Sequence, residues 1–345
     1  MAHAATTPSA SRSAASLARL DAQRRIGGVP APTAPLFIVN PIAGSGRAHS
    51  IVPRIEAWLA ERGIAARLLE TREAGHAERL AAAATDLGHD RVIAVGGDGT
   101  IQEVINGLMA SGVGTDGGPP ALGLIPSGRG NDLARSVHLP IDPMASLPIA
   151  VGETTHAFDV GSARGGDGSQ RYFGAAGGAG FDAAVAYTMA VDRRFWMRGE
   201  AGYFLGTLNE LRRHRNSELR VTLVGDGEDR VVSQRFLFIA FANGPYYGGG
   251  MQICPNAETD DGWLDVCLVG DLSRLAALRE LPGIYQAKHL RNPKVEIVRA
   301  RTVRIEGDAT TRVHLDGEPF GKVPVEITLL PGAVSVAVAA AVPVQ

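Results

Sequence analysis

The sequence predicts an α/β protein with two domains: an N-terminal three-layer α/β domain on a parallel sheet and a C-terminal β-rich sandwich domain, with a cleft between them. Three observations support this fold class. Short apolar runs alternate with helical patterns up to Pro140, Gly-rich loops follow those runs, and longer β-rich stretches come after Pro140. Alternating strands and helices are typical of a parallel sheet, whereas dense strands with turn signals indicate an antiparallel sandwich.

The first half supplies the parallel strands. Apolar runs at residues 36–39, 92–95 and 121–125 are bounded by Gly and Pro, as expected of strands that are buried on both faces. A helical pattern at residues 51–62 follows the first of them. The Gly-rich loops then lie at the carboxyl ends of the strands, which is the edge where parallel sheets bind ligands.

The second half is dense in predicted strands, which lie at residues 219–223, 231–241, 264–268, 295–298, 302–305, 313–315 and 325–329. Helical patterns at residues 200–214 and 273–285 interrupt them. Turn signals such as Asp316-Gly317 favour antiparallel connections. We expect a disordered tail (1–34), an α/β domain (35–150), a β-rich domain (151–322) and C-terminal strands (323–345) that return to the first domain.

Composition excludes several classes of protein. The chain has 345 residues, of which 45% are apolar and 20% charged, so it can bury substantial cores. A formal net charge of -2 argues against a nucleic-acid partner. Two cysteines are too few for a disulfide scaffold or a zinc site, and no apolar run reaches the roughly 20 residues of a membrane-spanning helix. We expect a cytoplasmic protein with no transmembrane segment.

The strongest local signal is VIAVGGDGTIQEVINGL, in which a buried strand runs through Gly96–Thr100 directly into an amphipathic helix. Glycines let the backbone approach phosphate oxygens, and a helix N-terminus offers unpaired N–H groups to an anion. Asp98 would repel phosphates unless Mg²⁺ or a ribose hydroxyl lies between them. An ordinary strand-to-helix turn with Asp98 or Thr100 as the N-cap is the alternative.

Two further Gly-rich loops strengthen the anion-binding interpretation. NPIAGSG follows the first strand and PSGRGNDLAR follows the third, so all three loops should meet at one crevice. None matches the P-loop pattern G-x-x-x-x-G-K-S/T, and a dinucleotide-binding G-x-G-x-x-G fingerprint is also missing.

The ordered set of motifs resembles the bacterial diacylglycerol kinase and YegS-like lipid kinase family, which is related to sphingosine and ceramide kinases. It comprises NPIAGSG, GGDGT, GRGNDLAR, FDVG, GFDAAV, YYGGGMQICPNAETDDGWLDV and VHLDGEP, and covers the chain from Pro35 to the C-terminus. The resemblance implies a nucleotide-binding first domain, a lipid-binding second domain, and an active site in the interdomain cleft. It implies ATP-dependent transfer of the γ-phosphoryl group to a lipid hydroxyl, with diacylglycerol as acceptor and phosphatidic acid as product.

Other functions remain open from the residues alone. Another lipid kinase, for example one acting on a sphingoid base, would share these motifs. An NAD kinase would share the GGDG loop but should lack the GNDLAR and LDGEP segments. A catalytically inactive nucleotide- or lipid-binding homologue is the alternative outside the enzymes, although the set Asp98, Asp132, Asp159 and Asp316 is intact.

The resemblance places ATP on the three loops and on the TREAGHA segment. The positions it implies are Asn40, Pro41, Ile42, Ala43, Gly44, Thr71, Gly97, Asp98, Gly99, Thr100, Ile101, Gln102, Glu103 and Arg129. The family usually has Thr where this chain has Arg129. A guanidinium can bind phosphate oxygens with its planar fork, and the alternative is a solvent-exposed Arg on the loop rim.

The resemblance also implies the catalytic carboxylates. Asp316 and Glu318 stand where the family keeps its general base. One of them should be the base that takes the proton of the attacking hydroxyl, and the other should orient that base. A plain Asp-Gly turn is the structural alternative. Asp132 and Asp159 resemble the acidic residues that, with Asp98, arrange water and Mg²⁺ around the transferred group.

A separate segment, ETDDGW, looks like the family's structural Mg²⁺ loop. Its ligands would be the Asp261 carboxylate and the carbonyls of Glu258 and Trp263, and the alternative is a charged β-turn facing water.

The expected partners are ATP and a membrane lipid that the protein reaches peripherally at the inner membrane face; a homodimer stays open. Residues 192–198, DRRFWMR, have a composition suited to anionic headgroups, but a helix that packs its aromatic residues explains the same sequence better. The histidines form no metal-ligand spacing. We therefore interpret His214, His289 and His314 as ordinary surface or core residues.

Overall fold

The computed structural model of the protein describes residues 25–26, 34–112, 119–191 and 199–340. Most of the predicted tail and the whole DRRFWMR segment lie outside the described residues. Within the tail, Arg25–Ile26 forms a short strand, β1, that pairs antiparallel with Ala66–Arg67. In the described part of the chain, no helix is long and apolar enough to cross a bilayer.

The first domain is a three-layer α/β unit. Its strands are β2 (Leu36–Val39), β3 (Ala66–Glu70), β4 (Arg91–Gly96) and β5 (Ala121–Pro126), and its helices are α1 (Arg47–Glu61), α2 (His76–Asp86), α3 (Asp98–Gly112), α4 (Asp132–Ser136) and α5 (Pro143–Ala150). The strands pair in parallel in the order β3-β2-β4-β5. All their carboxyl ends therefore meet at one edge.

Strand β2 shows why this sheet is covered on both faces. Leu36 and Ile38 belong to the core that contains α2 and α3, whereas Phe37 and Val39 belong to the core that contains α1 and α5. Successive side chains of a strand point to opposite faces, so an unbroken apolar run is what a doubly covered strand requires.

The second domain is rich in antiparallel strands. Its strands are β6 (Thr155–Gly165), β7 (Gln170–Phe173), β8 (Ala176–Gly180), β9 (Ser217–Val224), β10 (Arg230–Ala242), β11 (Tyr246–Tyr247), β12 (Met251–Gln252), β13 (Leu264–Gly270), β14 (Val295–Ala300), β15 (Thr302–Gly307), β16 (Arg312–Leu315), β17 (Glu318–Lys322) and β18 (Val325–Ala337). Its helices are α6 (Phe181–Val191), α7 (Gly199–Arg213) and α8 (Arg274–Ile284), with a 3₁₀ turn at Lys288–Arg291. The predicted fold class, a parallel-sheet α/β domain followed by a β-rich domain, is confirmed.

A two-stranded ribbon of β6 and β18 joins the parallel strands of the first domain to the antiparallel strands of the second, so that both belong to one continuous sheet. The pairing of these strands breaks register between Leu330 and Val334, which divides the ribbon into two parts. The first part of β18 pairs with β15, and the second part reaches β5, where Val336 pairs in parallel with Leu122. The last strand thus covers the edge of the first domain's sheet.

Strand β8 was not predicted from the sequence, and its composition explains why. It consists only of Ala and Gly, yet all five residues are buried. A Cβ at Gly177 would lie 2.3 Å from the Phe241 ring, and one at Gly178 would lie 1.8 Å from an Asp182 oxygen. Neighbouring side chains fill the space over this strand, so it carries no apolar pattern of its own.

Candidate active site

Three loops meet at the carboxyl edge of the parallel sheet. The first loop is residues 40–46, the second 96–99 and the third 127–131. Backbone hydrogen bonds order them side by side: the Asn40 N–H donates to the Val95 carbonyl at 3.0 Å, and the Ser127 N–H donates to the Gly96 carbonyl at 2.7 Å. The convergence expected from strand order is therefore present.

The loops touch backbone to backbone, which only glycine permits at two positions. A Cβ at Gly44 would lie 2.0 Å from the Ser127 carbonyl oxygen, and Gly44 also has a φ of +59°. A Cβ at Gly128 would lie 2.5 Å from the Gly97 Cα. Asn40 Nδ2 adds a hydrogen bond of 2.9 Å to the Thr100 hydroxyl. The result is a small-residue cradle at the N-terminus of α3, which fits the phosphates of a nucleotide.

Side chains of α3 and its neighbours support the cradle from below. Ile101 is a buried core residue, and Gln102 Nε2 donates to the Leu315 carbonyl at 2.9 Å. The Glu103 carboxylate accepts the N–H groups of Gly75 and Ala77, so it caps helix α2. Glu103 thereby orders the TREAGHA segment.

Two more of the residues expected at ATP lie on loops. The Thr71 N–H is bonded to the Val39 carbonyl at 2.8 Å, just beyond the end of β3. Arg129 is exposed, and its Nη2 donates to the Ser45 hydroxyl at 3.1 Å. Arg129 therefore bridges the third and first loops. Ile42 is also exposed on the first loop.

Asp98 fastens the third loop to the second. Its carboxylate accepts the N–H groups of Asn131 at 2.8 Å, Asp132 at 2.7 Å and Leu133 at 3.5 Å. Burial raises the pKa of Asp98, while these N–H groups act in the opposite direction. We expected a carboxylate that faces phosphates or Mg²⁺. Both of its oxygens accept backbone N–H groups at the start of α4, and the residue also lines the cavity of the cleft. Its role towards phosphates or Mg²⁺ stays a prediction.

Asp132 joins the two domains. Its carboxylate accepts the N–H groups of Gly249 at 2.8 Å and Gly250 at 2.7 Å, which come from the YYGGGM segment of the second domain. Burial and the nearby charge of Asp98 raise the pKa of Asp132 to about 7. The cleft between the domains is closed at this point by a shared carboxylate.

Asp316 lies in the β16–β17 hairpin with a left-handed backbone, φ +49°. Its carboxylate accepts the N–H groups of Gly174, Ala175 and Ala176 at 2.8, 2.9 and 3.1 Å. Burial nevertheless raises the pKa of the Asp316 carboxyl to about 6. Such a group is mostly ionised at neutral pH and still basic enough to take a proton.

Glu318 follows on the same hairpin, at the mouth of the cleft. Its Oε1 lies 3.3 Å from the position that a Cβ on Gly99 would occupy, so the carboxyl stands over the N-terminus of α3. Burial of the carboxyl and the charge of Glu103 raise the pKa of Glu318. Both candidate bases are thus near the cradle, and Asp316 lies deeper.

A cavity of about 330 Å³ lies in the cleft beside the cradle. Its walls include Asp98, Arg129, Gly130, Asp132, Ala175, Ala176, Asp182, Ala186, Met189, Tyr247, Gly248, Gly249, His314, Asp316 and Gly317. The lining combines carboxylates with the apolar side chains of Ala186 and Met189 and the ring of Tyr247. The cavity brings together Asp98, Asp132, Asp316 and Arg129.

The structure does not bring Asp159 to this cavity. The Asp159 carboxylate accepts the N–H groups of Gly262 and Gly332, both at 2.7 Å, and its own N–H donates to the Thr259 carbonyl. Gly332 lies in the register break of β18. Asp159 therefore fixes the ribbon and the ETDDGW turn, which differs from its expected place beside the transferred phosphoryl group.

The predicted Mg²⁺ loop has a different partner in the structure. One Asp261 oxygen accepts the Trp263 N–H, and the other is bonded to the Arg299 guanidinium. The guanidinium carbons of Arg299 and Arg301 lie over the Trp263 ring, 5.3 and 4.4 Å from its centroid. Among the described residues, no group of three or more His, Cys, Asp or Glu side chains could hold a metal ion. Arg299 supplies positive charge to the Asp261 carboxylate. The ligand role of Glu258, Asp261 and Trp263, which relies on one carboxylate and two backbone carbonyls, stays a prediction.

Two residues of the cavity wall were not predicted as functional. His314 was interpreted as an ordinary residue, and Asp182 was only one letter of a resembling motif. Their side chains lie 3.3 Å apart, from His314 Nε2 to Asp182 Oδ2, and they are 4% and 8% exposed. The signal available in the sequence was the position of His314, two residues before Asp316 on a strand.

Comparisons with known proteins agree with this fold and site. The model of the diacylglycerol kinase catalytic domain matches residues 34–163, and that of the YegS C-terminal NAD kinase beta sandwich-like domain matches residues 175–338. A diacylglycerol kinase of Mycobacterium tuberculosis is 35% identical over 300 residues, which cover 87% of this chain and 93% of that relative. A probable lipid kinase YegS-like of Chromohalobacter salexigens is 31% identical over 302 residues, covering 82% and 93%.

A solved structure supports the same conclusion. The crystal structure of a putative diacylglycerol kinase from Bacillus anthracis superposes with a TM-score of 0.71 at 26% identity, covering 90% of this chain and 97% of that one. The chain belongs to the diacylglycerol kinase and YegS-like lipid kinase family. Membership in a kinase family implies that it uses ATP.

Proposed function

We propose that this protein transfers the γ-phosphoryl group of ATP to the hydroxyl group of a membrane lipid, with diacylglycerol as acceptor and phosphatidic acid as product. One observation carries the proposal: the Asp316 carboxyl, with a pKa of about 6, lines the same cavity as Asp98 and Arg129 of the nucleotide loops. A base and an anion cradle at one cavity are what phosphoryl transfer to an alcohol requires.

In this proposal the nucleotide lies on residues 35–150. Its phosphates lie on the three-loop cradle, where the positive end of α3 and the exposed Arg129 favour negative charge. Asp98 and Asp132 are the carboxylates of this cavity that would face a Mg²⁺ ion bound with the nucleotide, and such an ion would supply positive charge to the phosphates. Burial and the charge of Asp98 raise the pKa of Asp132, and a nearby cation would lower it again.

The acceptor lies on the side of the second domain, residues 151–322. The hydroxyl approaches Asp316, which takes its proton as the oxygen attacks the γ-phosphorus, while the bond from that phosphorus to the β-phosphate oxygen breaks and ADP leaves. Three backbone N–H groups hold the Asp316 carboxylate in place for this step. Glu318, at the cleft mouth, orients the incoming groups.

The apolar residues in the cavity lining support a lipid acceptor over a small polar alcohol. Ala186 and Met189 of α6 and the ring of Tyr247 offer apolar surface next to the base. A glycerol hydroxyl at Asp316 would leave its acyl chains along α6. The lipid must then be reached from a membrane surface, so we infer a peripheral association with the cytoplasmic face.

The test is transfer of labelled phosphate from ATP into a panel of lipid alcohols in mixed micelles, with Asp316→Asn as the matched inactive control. We expect labelled phosphatidic acid from diacylglycerol and little label with the variant. Label only in a sphingoid base would change the acceptor. ATP binding without label in any lipid would make the protein a non-catalytic homologue.

A further inference from the structure

The cavity wall contains a buried carboxylate–imidazole pair, Asp182 and His314. The imidazole is hydrogen-bonded to the β16–β17 hairpin, which also carries the proposed base, Asp316. His314 Nε2 lies 3.3 Å from Asp182 Oδ2, and the Gly317 N–H donates to His314 Nδ1 at 3.2 Å. Both side chains are nearly inaccessible to solvent. The three groups form a continuous chain from helix α6 to the residue that follows Asp316.

These hydrogen bonds define the tautomer of His314. A backbone N–H can only donate, so Nδ1 must accept from Gly317 with a free lone pair, and the ring proton must be on Nε2, where it donates to Asp182. The other Asp182 oxygen accepts the Ala183 N–H at 2.7 Å. Asp182 thus holds the imidazole in the one form that can accept from Gly317.

The surroundings keep both side chains in place. The Tyr247 ring stacks on the imidazole, with centroids 6.3 Å apart and an interplanar angle of 25°. A Cβ on Gly178 would lie 1.8 Å from Asp182 Oδ2, so the bare strand β8 provides the space for this carboxylate.

The turn that His314 contacts has a left-handed backbone at two successive residues. Asp316 and Gly317 both have positive φ, +49° and +84°. This backbone turns the Asp316 carboxyl towards the N–H groups at residues 174–176, and the imidazole holds the other side of the turn through Gly317.

We propose that Asp182 and His314 are positioning residues for phosphoryl transfer: Asp182 fixes the tautomer of His314, and His314 fixes the turn that presents Asp316 to the acceptor hydroxyl. This inference rests on the proposed function, in which Asp316 is the base. Neither residue takes or gives a proton in the reaction.

Two substitutions of His314 test the hydrogen bonds of Nδ1 and Nε2 separately. Asn places an amide oxygen near the position of Nδ1 and can still accept from Gly317, whereas Gln places its amide nitrogen near Nε2 and can only donate to Asp182. We expect His314→Gln to lower kcat about tenfold, the factor for one hydrogen bond, with KM for ATP unchanged. His314→Asn should stay within about threefold of the wild type.

The third variant, Asp182→Asn, tests the tautomer. Its single oxygen stays on the Ala183 N–H, so its amide group donates to Nε2 and forces the His314 proton to Nδ1, where it opposes the Gly317 N–H. We expect a loss of kcat similar to that of His314→Gln. The variant that combines Asp182→Asn with His314→Gln should lose no more kcat than either single variant, because both substitutions break the same chain of hydrogen bonds.

Isotope-labelled histidine nitrogens provide a readout that does not depend on activity. The His314 signal, assigned by its loss in His314→Asn, should show a proton on Nε2 in the wild type and on Nδ1 in Asp182→Asn. A proton on Nδ1 in the wild type, or wild-type kcat in folded His314→Gln, would overturn the proposal. A wild type that labels no lipid but shows the expected tautomer would instead count against the proposed function and leave the hydrogen-bond chain standing.

Discussion

Replacing Asp316 with Asn should remove most of the transferase activity while the hairpin turn is retained. Asn-Gly forms such turns as readily as Asp-Gly does. The amide oxygen can keep the N–H groups of Ala175 and Ala176, which both bond to Oδ1 of the carboxylate, but its nitrogen then faces the Gly174 N–H. One unpaired backbone donor costs about 1–3 kcal/mol, so the variant should melt earlier but fold.

The loss of rate follows from the chemistry of a base. General-base assistance contributes about 10²–10⁴ in rate, so kcat for Asp316→Asn should fall by that factor with substrate KM little changed. The pKa of Asp316 is raised to about 6, so the wild-type rate should decline as pH falls below about 6, where the carboxyl is protonated. This acidic limb should disappear in the variant.

The titration of Asp316 should also make the free energy of unfolding depend on pH. Because the folded-state pKa of Asp316 is raised from 3.8, its contribution to stability is greatest below about pH 4 and is lost as pH rises through about 6. Asp316→Asn should lack this dependence. Thermal melting across that pH range measures it.

The assay is the initial rate of phosphate transfer at saturating ATP and lipid, with Glu318→Gln as the matched control on the same hairpin. A large loss confined to Glu318→Gln would assign the base to Glu318. Small losses in both variants would leave the LDGEP segment with a structural role, and the mechanism given above would be refuted.

Three further substitutions test the loops and the ribbon. Arg129→Thr should leave a working kinase with an altered KM for ATP, because the backbone of the cradle is intact; complete inactivity of the folded variant would make Arg129 a catalytic cation. Asp98→Asn should abolish turnover and also lower the free energy of unfolding by about 1–3 kcal/mol, since its carboxylate holds backbone N–H groups of the third loop; wild-type kinetics would remove the nucleotide-site interpretation. Asp159→Asn should lower Tm and leave the KM for ATP unchanged, and a normal Tm would contradict the packing role of its carboxylate.

Much of the fold could be predicted because many buried strands are apolar runs in the sequence. Residues 36–39 form a strand as expected, with apolar side chains on both faces. Residues 325–329 form part of a strand as expected, with Val325, Ile327 and Leu329 buried on one face. Strand β8 could not be predicted, because its small residues make room for Phe241 and Asp182 from elsewhere in the chain. Because other parts of the chain supply the side chains that pack over β8, its own sequence has no apolar alternation that would predict a strand.

The site shows the same division. Strand order was enough to predict that the three loops would converge. The partners of Asp98, Asp132 and Asp159 could not be predicted, because they are backbone N–H groups, which every residue type except proline offers. For Asp261, the competing partner Arg299 lies 38 residues away in sequence and only pairing of β13 with β14 brings it near.

The ribbon of β6 and β18 has a consequence for synthesis of the chain. The edge of β5 is covered by Val336, so the parallel strands of the first domain gain their last neighbour only after synthesis has passed Val336. Until then the edge at Leu122 offers unpaired backbone groups and apolar side chains to any passing strand. Residues 34–150 expressed alone would keep that edge exposed permanently. The two domains differ in architecture, but the first completes its sheet only with a strand that follows the second.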